Sequence, residues 1–178
     1  GQGFESASDT IARTQAYEAA KLQREAEKIK ADQERAARIE ETTRARRDQV
    51  AFETQAAAQR QAILDDPAIP NDQKGAKLND WVTAERGKLE PTYKIPDVLG
   101  AQQVAIDDVA ARQTAQLADG IKTRNQEQTR ANVAETLQAM GQQAAAADDP
   151  GPYIDKAQAH VAAVGAAAGW GADDVAKI

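Results

Sequence analysis

The sequence predicts an all-α protein: an extended hairpin of two long helices, or a helical bundle, with short accessory helices and no sheet. Ala, the strongest helix former, supplies 40 of the 178 residues. No segment shows the alternation of apolar and polar residues that is typical of a strand. Leu, Ile, Val and Phe together number only 28, below the roughly 20% of residues under which a chain struggles to build a core. We therefore expect helices that depend on partners for much of their packing.

The charges are nearly balanced, with 22 basic and 28 acidic residues and a sequence pI of about 4.9. Nucleic-acid-binding domains usually have a basic face and a high pI. The densest basic patch lies among acidic neighbours, which largely cancel its charge; it consists of Arg35, Arg38, Arg44, Arg46 and Arg47. This pattern favours a solvated helix face, and direct contact with nucleic acid is not expected.

The residue types that carry catalysis are scarce. The chain has no Cys and a single histidine, His160, and its only serines are Ser6 and Ser8. Acidic pairs mostly lie beside turns and helix starts, where they complement the helix dipole. No glycine-rich phosphate loop or calcium loop is present. We predict no catalytic, cofactor-binding or metal-binding residues, no cofactor and no small-molecule ligand, and thus no enzyme.

Residues 1–66 are predicted to form a long amino-terminal helix, with Ser8 or Asp9 as its N-cap and Ile11 as its first periodic apolar residue. Large apolar residues are sparse, and three pairs lie eleven residues apart: Ile11 with Leu22, Ile39 with Val50, and Phe52 with Ile63. Such a recurrence predicts a nearly straight stripe and not a leucine-zipper seam. A solvated single helix is the alternative to a helix packed on a partner. The residues expected to contact a partner protein are Ile29, Ile39, Val50 and Phe52.

Three further segments follow. Residues 67–96 are predicted to be a proline-bounded corner with a short helix, 72–89, in which Trp81 is a structural anchor. Residues 97–147 are a second long helix. Residues 148–178 are an Ala-rich helix followed by Gly-Trp-Gly, with Trp170 as a second anchor, and then the start of a further element. Because the chain stops one turn into that element, we expect a fragment of a longer protein.

The segment from Met140 to Ile178 has a distinct order of features: an Asp-Pro turn, a Tyr-led Ala-rich helix, Gly-Trp-Gly and an acidic cap. This order, with the corner from Ala62 to Pro91, resembles helical repeats in the internal virion, or ejection, proteins of tailed bacteriophages. The resemblance implies a place inside the virion or at its portal or tail, passage to the host periplasm on infection, and a part in delivering the genome. Some members of this class carry a muramidase domain, but no residue here matches such an active site.

The expected function is therefore non-enzymatic assembly, through self-association or through contacts with other virion proteins such as the portal and tail. The alternative is a bacterial periplasmic or envelope adaptor whose helical hairpin mediates protein–protein contacts. An adaptor should have strand-rich segments beside its hairpin, which this sequence lacks. No apolar run is long enough to predict a transmembrane segment.

Overall fold

The computed structural model describes residues 2–178, with side chains from Ser6 onward. Helices account for 90% of the chain, and residues 2–178 contain no strand, so the predicted all-α class is confirmed. The helices in chain order are α1 (Gln2–Asp65), α2 (Asn71–Leu89), α3 (Pro96–Ala146), α4 (Gly151–Ala168) and α5 (Ala172–Val175), and a 3-10 turn (Glu90–Thr92) joins α2 to α3.

The helix boundaries follow the prolines and glycines of the sequence. Helices α2 and α3 each begin one residue before the predicted start, and α4 ends where Gly169 adopts a left-handed conformation with φ of 69°. The start of α1 differs from the prediction, because Ser8 and Asp9 lie inside the helix and do not cap it. Polar side chains in this first stretch are accommodated within the helix: the Thr10 hydroxyl donates to the Ser6 carbonyl at 2.8 Å.

The helices contribute to two compact units. The first consists of α1 up to Ala58 together with residues Asn79–Ala111, and the second consists of Gln59–Leu78 together with Arg112–Ile178. The boundaries of these units fall inside α1, α2 and α3. The sequence predicted segment boundaries at the turns between helices. Prolines decide where a helix ends, but the packing of side chains decides which parts of a helix belong together.

The core of the first unit lies where α1, α2 and α3 meet. Its buried side chains are Phe52, Ala56, Val82, Ile106 and Val109. The half-buried Trp81 packs on this cluster, with its ring stacked on Phe52 at 5.5 Å between centroids. Phe52 is only 2% exposed, so the prediction that it contacts a partner protein is wrong. An aromatic side chain buries more area than Ile or Val, and the core of this unit uses it.

In the second unit, cations hold the carboxyl end of α1. The buried Lys74 ammonium donates to the main-chain oxygens of Ile63, Leu64 and Asp66 at 2.7, 2.9 and 2.8 Å. Arg124 donates to the Leu64 oxygen and to the Asp65 carboxylate. The bond from Arg124 to the carboxylate lowers the pKa of Asp65. The last carbonyls of a helix lack partners within the helix and carry partial negative charge, so both cations stabilise this end.

None of the helices in the described part of the chain has the length and apolarity needed to cross a membrane.

Candidate interaction surface on helix α1

The amino-terminal part of α1 has little packing within the chain. Every described side chain from Ser6 to Glu40 is exposed. Hydrogen bonds from α1 to the rest of the first unit begin at Arg38, which donates to Asp97, and continue at Glu41, which accepts from the backbone N–H groups of Lys94 and Ile95. A helix usually gains most of its stability from packing of an apolar face. The position of the large apolar residues in this segment is therefore informative.

Five large aliphatic side chains of α1 are between 58% and 65% exposed: Ile11, Leu22, Ile29, Ile39 and Val50. Three of them, Ile29, Ile39 and Val50, were predicted to contact a partner protein. Their separations along the chain are 11, 7, 10 and 11 residues. With the seven positions of a heptad lettered a to g, Ile11 and Ile39 occupy d, while Leu22, Ile29 and Val50 occupy a. We call these five residues the α1 seam.

The exposed fractions change how the sequence pattern is interpreted. The eleven-residue recurrence combined two faces, because Phe52 and Ile63 are buried while the other four residues that carry it are exposed. Once the buried pair is set aside, the exposed residues keep one seven-residue register. A repeat of this length follows the surface of a left-handed coiled coil. Two of the three eleven-residue pairs, Ile11 with Leu22 and Ile39 with Val50, remain on the exposed face, and their residues also fit this heptad register.

The seam and the internally packed face lie on different sides of α1. Ala45 and Phe52, which are buried in the first unit, both occupy position c. Position c lies roughly 100–160° around the helix from positions a and d, at 100° per residue. A partner could therefore contact the seam while α1 keeps its packing within the unit. Tyr17, also exposed, lies outside the register at position c.

Charged residues form two rows at heptad spacing: an acidic row within the seam, between Ile11 and Ile39, and a basic row beside it. An acidic row occupies position d and a basic row occupies position g: Glu18, Glu25 and Asp32, and Lys21, Lys28 and Arg35. Each carboxylate precedes a cation by three residues, a spacing that stabilises a helix by roughly 0.2–0.5 kcal/mol per pair. The two rows give the exposed segment a patterned surface of alternating charge.

A polar cluster fixes the connection between α2 and α3 against α1 in the first unit. The Tyr93 hydroxyl donates to Asp48 at 2.6 Å, and the Arg44 guanidinium lies 5.1 Å from the centre of the Tyr93 ring and donates to the Thr92 oxygen. Burial, followed by the bond to Asp48, raises the pKa of Tyr93 well above its usual range. Tyr93 therefore stays protonated and acts as a donor. Arg38 and Arg44, two members of the predicted basic patch, thus bond within the unit.

The single histidine and the acidic residues form no metal site in the described part of the chain. His160 is half-buried on α4. Among the described residues no group of three or more His, Cys, Asp or Glu side chains could hold a metal ion.

Trp170 lies in the second unit beside an apolar groove of about 650 Å³, lined by Leu137, Val161, Gly165, Trp170 and Val175. A Cβ atom added to Gly165 would lie 3.4 Å from the Trp170 ring. The indole ring therefore packs closely over this glycine. Its Nε1 atom is buried and has no hydrogen-bond partner. The sequence identified this tryptophan as an anchor, but it gave no indication of the groove.

Together these features define an all-α protein whose longest helix carries an unpartnered heptad seam. No family model, curated protein or solved structure significantly matches the chain.

Proposed function

We propose that this protein is a non-enzymatic structural protein that assembles with other chains through the α1 seam. One observation carries the proposal: five large aliphatic side chains share one heptad register on a helix face that is exposed in the chain. Single exposed apolar residues are normal on protein surfaces, but aliphatic side chains that share the a and d positions of one heptad register are typical of a coiled-coil interface.

The size of the seam indicates what kind of partner it needs. Fully burying a Leu, Ile or Val side chain contributes roughly 1.5–3 kcal/mol, so covering the exposed six-tenths of five such residues contributes about 5–9 kcal/mol. Association itself costs roughly 4–15 kcal/mol in lost freedom of motion. If the partner buried no apolar side chains of its own, the gain from the seam would barely offset the cost of association. A partner with a similar apolar row roughly doubles the gain, which favours another long helix.

The more specific proposal is an ejection-type internal protein of a tailed phage virion that contributes to genome delivery across the host envelope. It is supported by the resemblance of residues 140–178 and 62–91 to such proteins. In this setting the partners are other copies of the chain or the portal and tail proteins. The protein would lie in the virion interior or at the portal and tail, and in the host periplasm on infection.

Light scattering across a concentration series tests the assembly proposal. We expect the mass of the wild type to rise with concentration and that of Ile39→Asp to stay at the monomer value, because the substitution removes one of the five aliphatic side chains and extends the acidic row of the seam by a fourth carboxylate. Val104→Asp is the matched control: Val104 has the same exposure, 61%, but lies on α3. Circular dichroism should show equal helicity in all three.

A wild type that stays monomeric at the highest concentration, and that binds neither purified portal nor purified tail complexes, would refute the assembly proposal. Self-association without binding to portal or tail would retain assembly, remove the support for a virion role and leave the envelope adaptor as the better candidate.

A further inference from the structure

We infer that the α1 seam is occupied by a second copy of the same helix in antiparallel orientation, with the twofold axis between Lys30 and Ala31. This inference rests on the proposed function and specifies its partner and register. It follows from the positions of the exposed apolar residues and of the charged residues within and beside the seam.

The seam is symmetric about its midpoint. In an antiparallel pair centred between residues 30 and 31, Ile11 lies opposite Val50 of the second copy, and Leu22 lies opposite Ile39 of the second copy. The twofold axis makes each contact twice. Every layer then joins an a position to a d position, as antiparallel coiled coils require. A shift of one heptad towards the carboxyl end places Leu22 opposite Arg46, and a shift towards the amino end places it opposite Asp32. Neither shifted register keeps both the Ile11–Val50 pair and the Leu22–Ile39 pair.

A parallel pair in register would also match the aliphatic residues, so the charges decide between the two orientations. In the parallel pair Glu18, Glu25 and Asp32 would each face themselves across the seam, and like charges directly opposite each other oppose pairing. In the antiparallel pair the same residues face Thr43, Ala36 and Ile29 of the second copy. No layer of the antiparallel seam between Ile11 and Val50 joins two like charges.

The basic row supplies the matching contacts. Positions d and g lie on the same side of an antiparallel pair. Asp32 therefore lies at the height of Lys28 of the second copy, and Glu25 at the height of Arg35 of the second copy. The basic rows of the two copies approach each other near the axis, and these carboxylates lie between them. Electrostatic complementarity of this kind fixes register and orientation.

The opposite flank of the seam carries small side chains in its amino-terminal half. Ala12, Ala19 and Ala26 occupy position e at heptad spacing, and position e of one helix faces position e of the other in an antiparallel pair. In the proposed register they lie opposite Arg47, Glu40 and Gln33 of the second copy. The short alanine side chains leave room for these longer polar side chains beside the aliphatic layers. The face of α1 that packs within the first unit, at position c, remains uncovered by the second copy.

Cysteine cross-linking tests the orientation directly, because the chain contains no Cys. Leu22→Cys and Ile39→Cys are prepared separately and oxidised alone or as an equal mixture. In the antiparallel pair Cys at 22 lies opposite Cys at 39 of the second copy. Two copies of residue 22 lie about 25 Å apart along the axis, at 1.5 Å for each of 17 residues. Since a disulfide needs Cα atoms within about 7 Å, we expect cross-linked dimer in the mixture and none in either variant alone. Tyr17→Cys mixed with Ile39→Cys is the matched control and should stay uncross-linked.

Charge swaps provide a second measurement. We expect Glu25→Lys to weaken self-association about 10-fold, because it turns the contact with Arg35 of the second copy into a repulsion. Adding Arg35→Glu should restore the wild-type affinity. In a parallel pair Glu25 does not meet Arg35, so the double variant would not be rescued there.

The outcomes separate this inference from the proposed function. Cross-linking of either single variant with itself would overturn the antiparallel register while leaving assembly through the seam intact. A chain that remains monomeric but binds portal or tail complexes through the seam would overturn the second copy as the partner and again leave the proposed function standing. A monomer that binds neither would overturn both.

Discussion

Replacement of Lys74 by Met tests how α1 ends in the second unit. Lys74 is 4% exposed, and its ammonium donates to the oxygens of Ile63, Leu64 and Asp66. Met keeps most of the aliphatic stem but removes all three bonds. The Leu64 oxygen retains the bond from Arg124, so two carbonyls lose a charged donor. At roughly 1.5 kcal/mol for each hydrogen bond to a charged group, the free energy of unfolding should fall by about 3 kcal/mol.

Urea denaturation measures this change, and the two tryptophans allow the second unit to be followed separately. In a Trp81→Phe background the remaining Trp170 fluorescence reports on the second unit. Lys77→Met is the matched control, since Lys77 is an exposed lysine on the same helix. Its effect should stay within about 0.5 kcal/mol. If Lys74→Met also stayed within that range, the ammonium would be replaceable by water, and the account of the end of α1 would be refuted.

Three other predictions concern the fold. Trp81→Ala should lower the free energy of unfolding of the first unit by about 2–3 kcal/mol in urea denaturation, somewhat less than a fully buried tryptophan because the ring is half-exposed; a change below 0.5 kcal/mol would contradict its packing role. Tyr93→Phe should cost about 1 kcal/mol at neutral pH through the lost bond to Asp48. Folding raises the pKa of Tyr93, so the contribution of this side chain to stability is fully present below pH 10, the pKa of the unfolded side chain, and is lost as pH rises above it. The free energy of unfolding should therefore fall more steeply above pH 10 in the wild type than in the variant. Equal slopes would contradict this. Gly141→Ala should raise the thermal midpoint, since the added Cβ meets no atom within 4 Å and alanine is about 1 kcal/mol more favourable than glycine in a helix. Gly120→Ala places a Cβ 2.8 Å from a methyl group of Leu64 and should lose that gain. A higher midpoint in both variants would refute the packing argument at Gly120.

The sequence predicted the helices well because helix formation and termination depend on local chemistry. High Ala content and the prolines near residues 67–70, 91–96 and 150–152 were enough to place α2, α3 and α4 within about two residues. The start of α1 was misplaced because a capping residue such as Ser8 marks only a preference. Bonds that join distant residues carried no local signal: the Lys74 bonds to the end of α1 and the Tyr93 bond to Asp48 could not be read from the sequence.

The interaction surface shows how burial and pattern have to be combined. Periodicity along α1 indicates that large apolar residues recur, but it cannot tell which of them the chain itself covers. Phe52 and Val50 are two residues apart, yet one is buried against Trp81 and the other is exposed. Phe52 and Ile63 are both buried. Once these two residues are left out, the five exposed aliphatic residues of α1 fit one heptad register. The register in turn places the acidic row within the seam and the basic row along one flank of it. The antiparallel pairing thus depends on which residues are exposed, and the sequence pattern alone pointed to a different repeat.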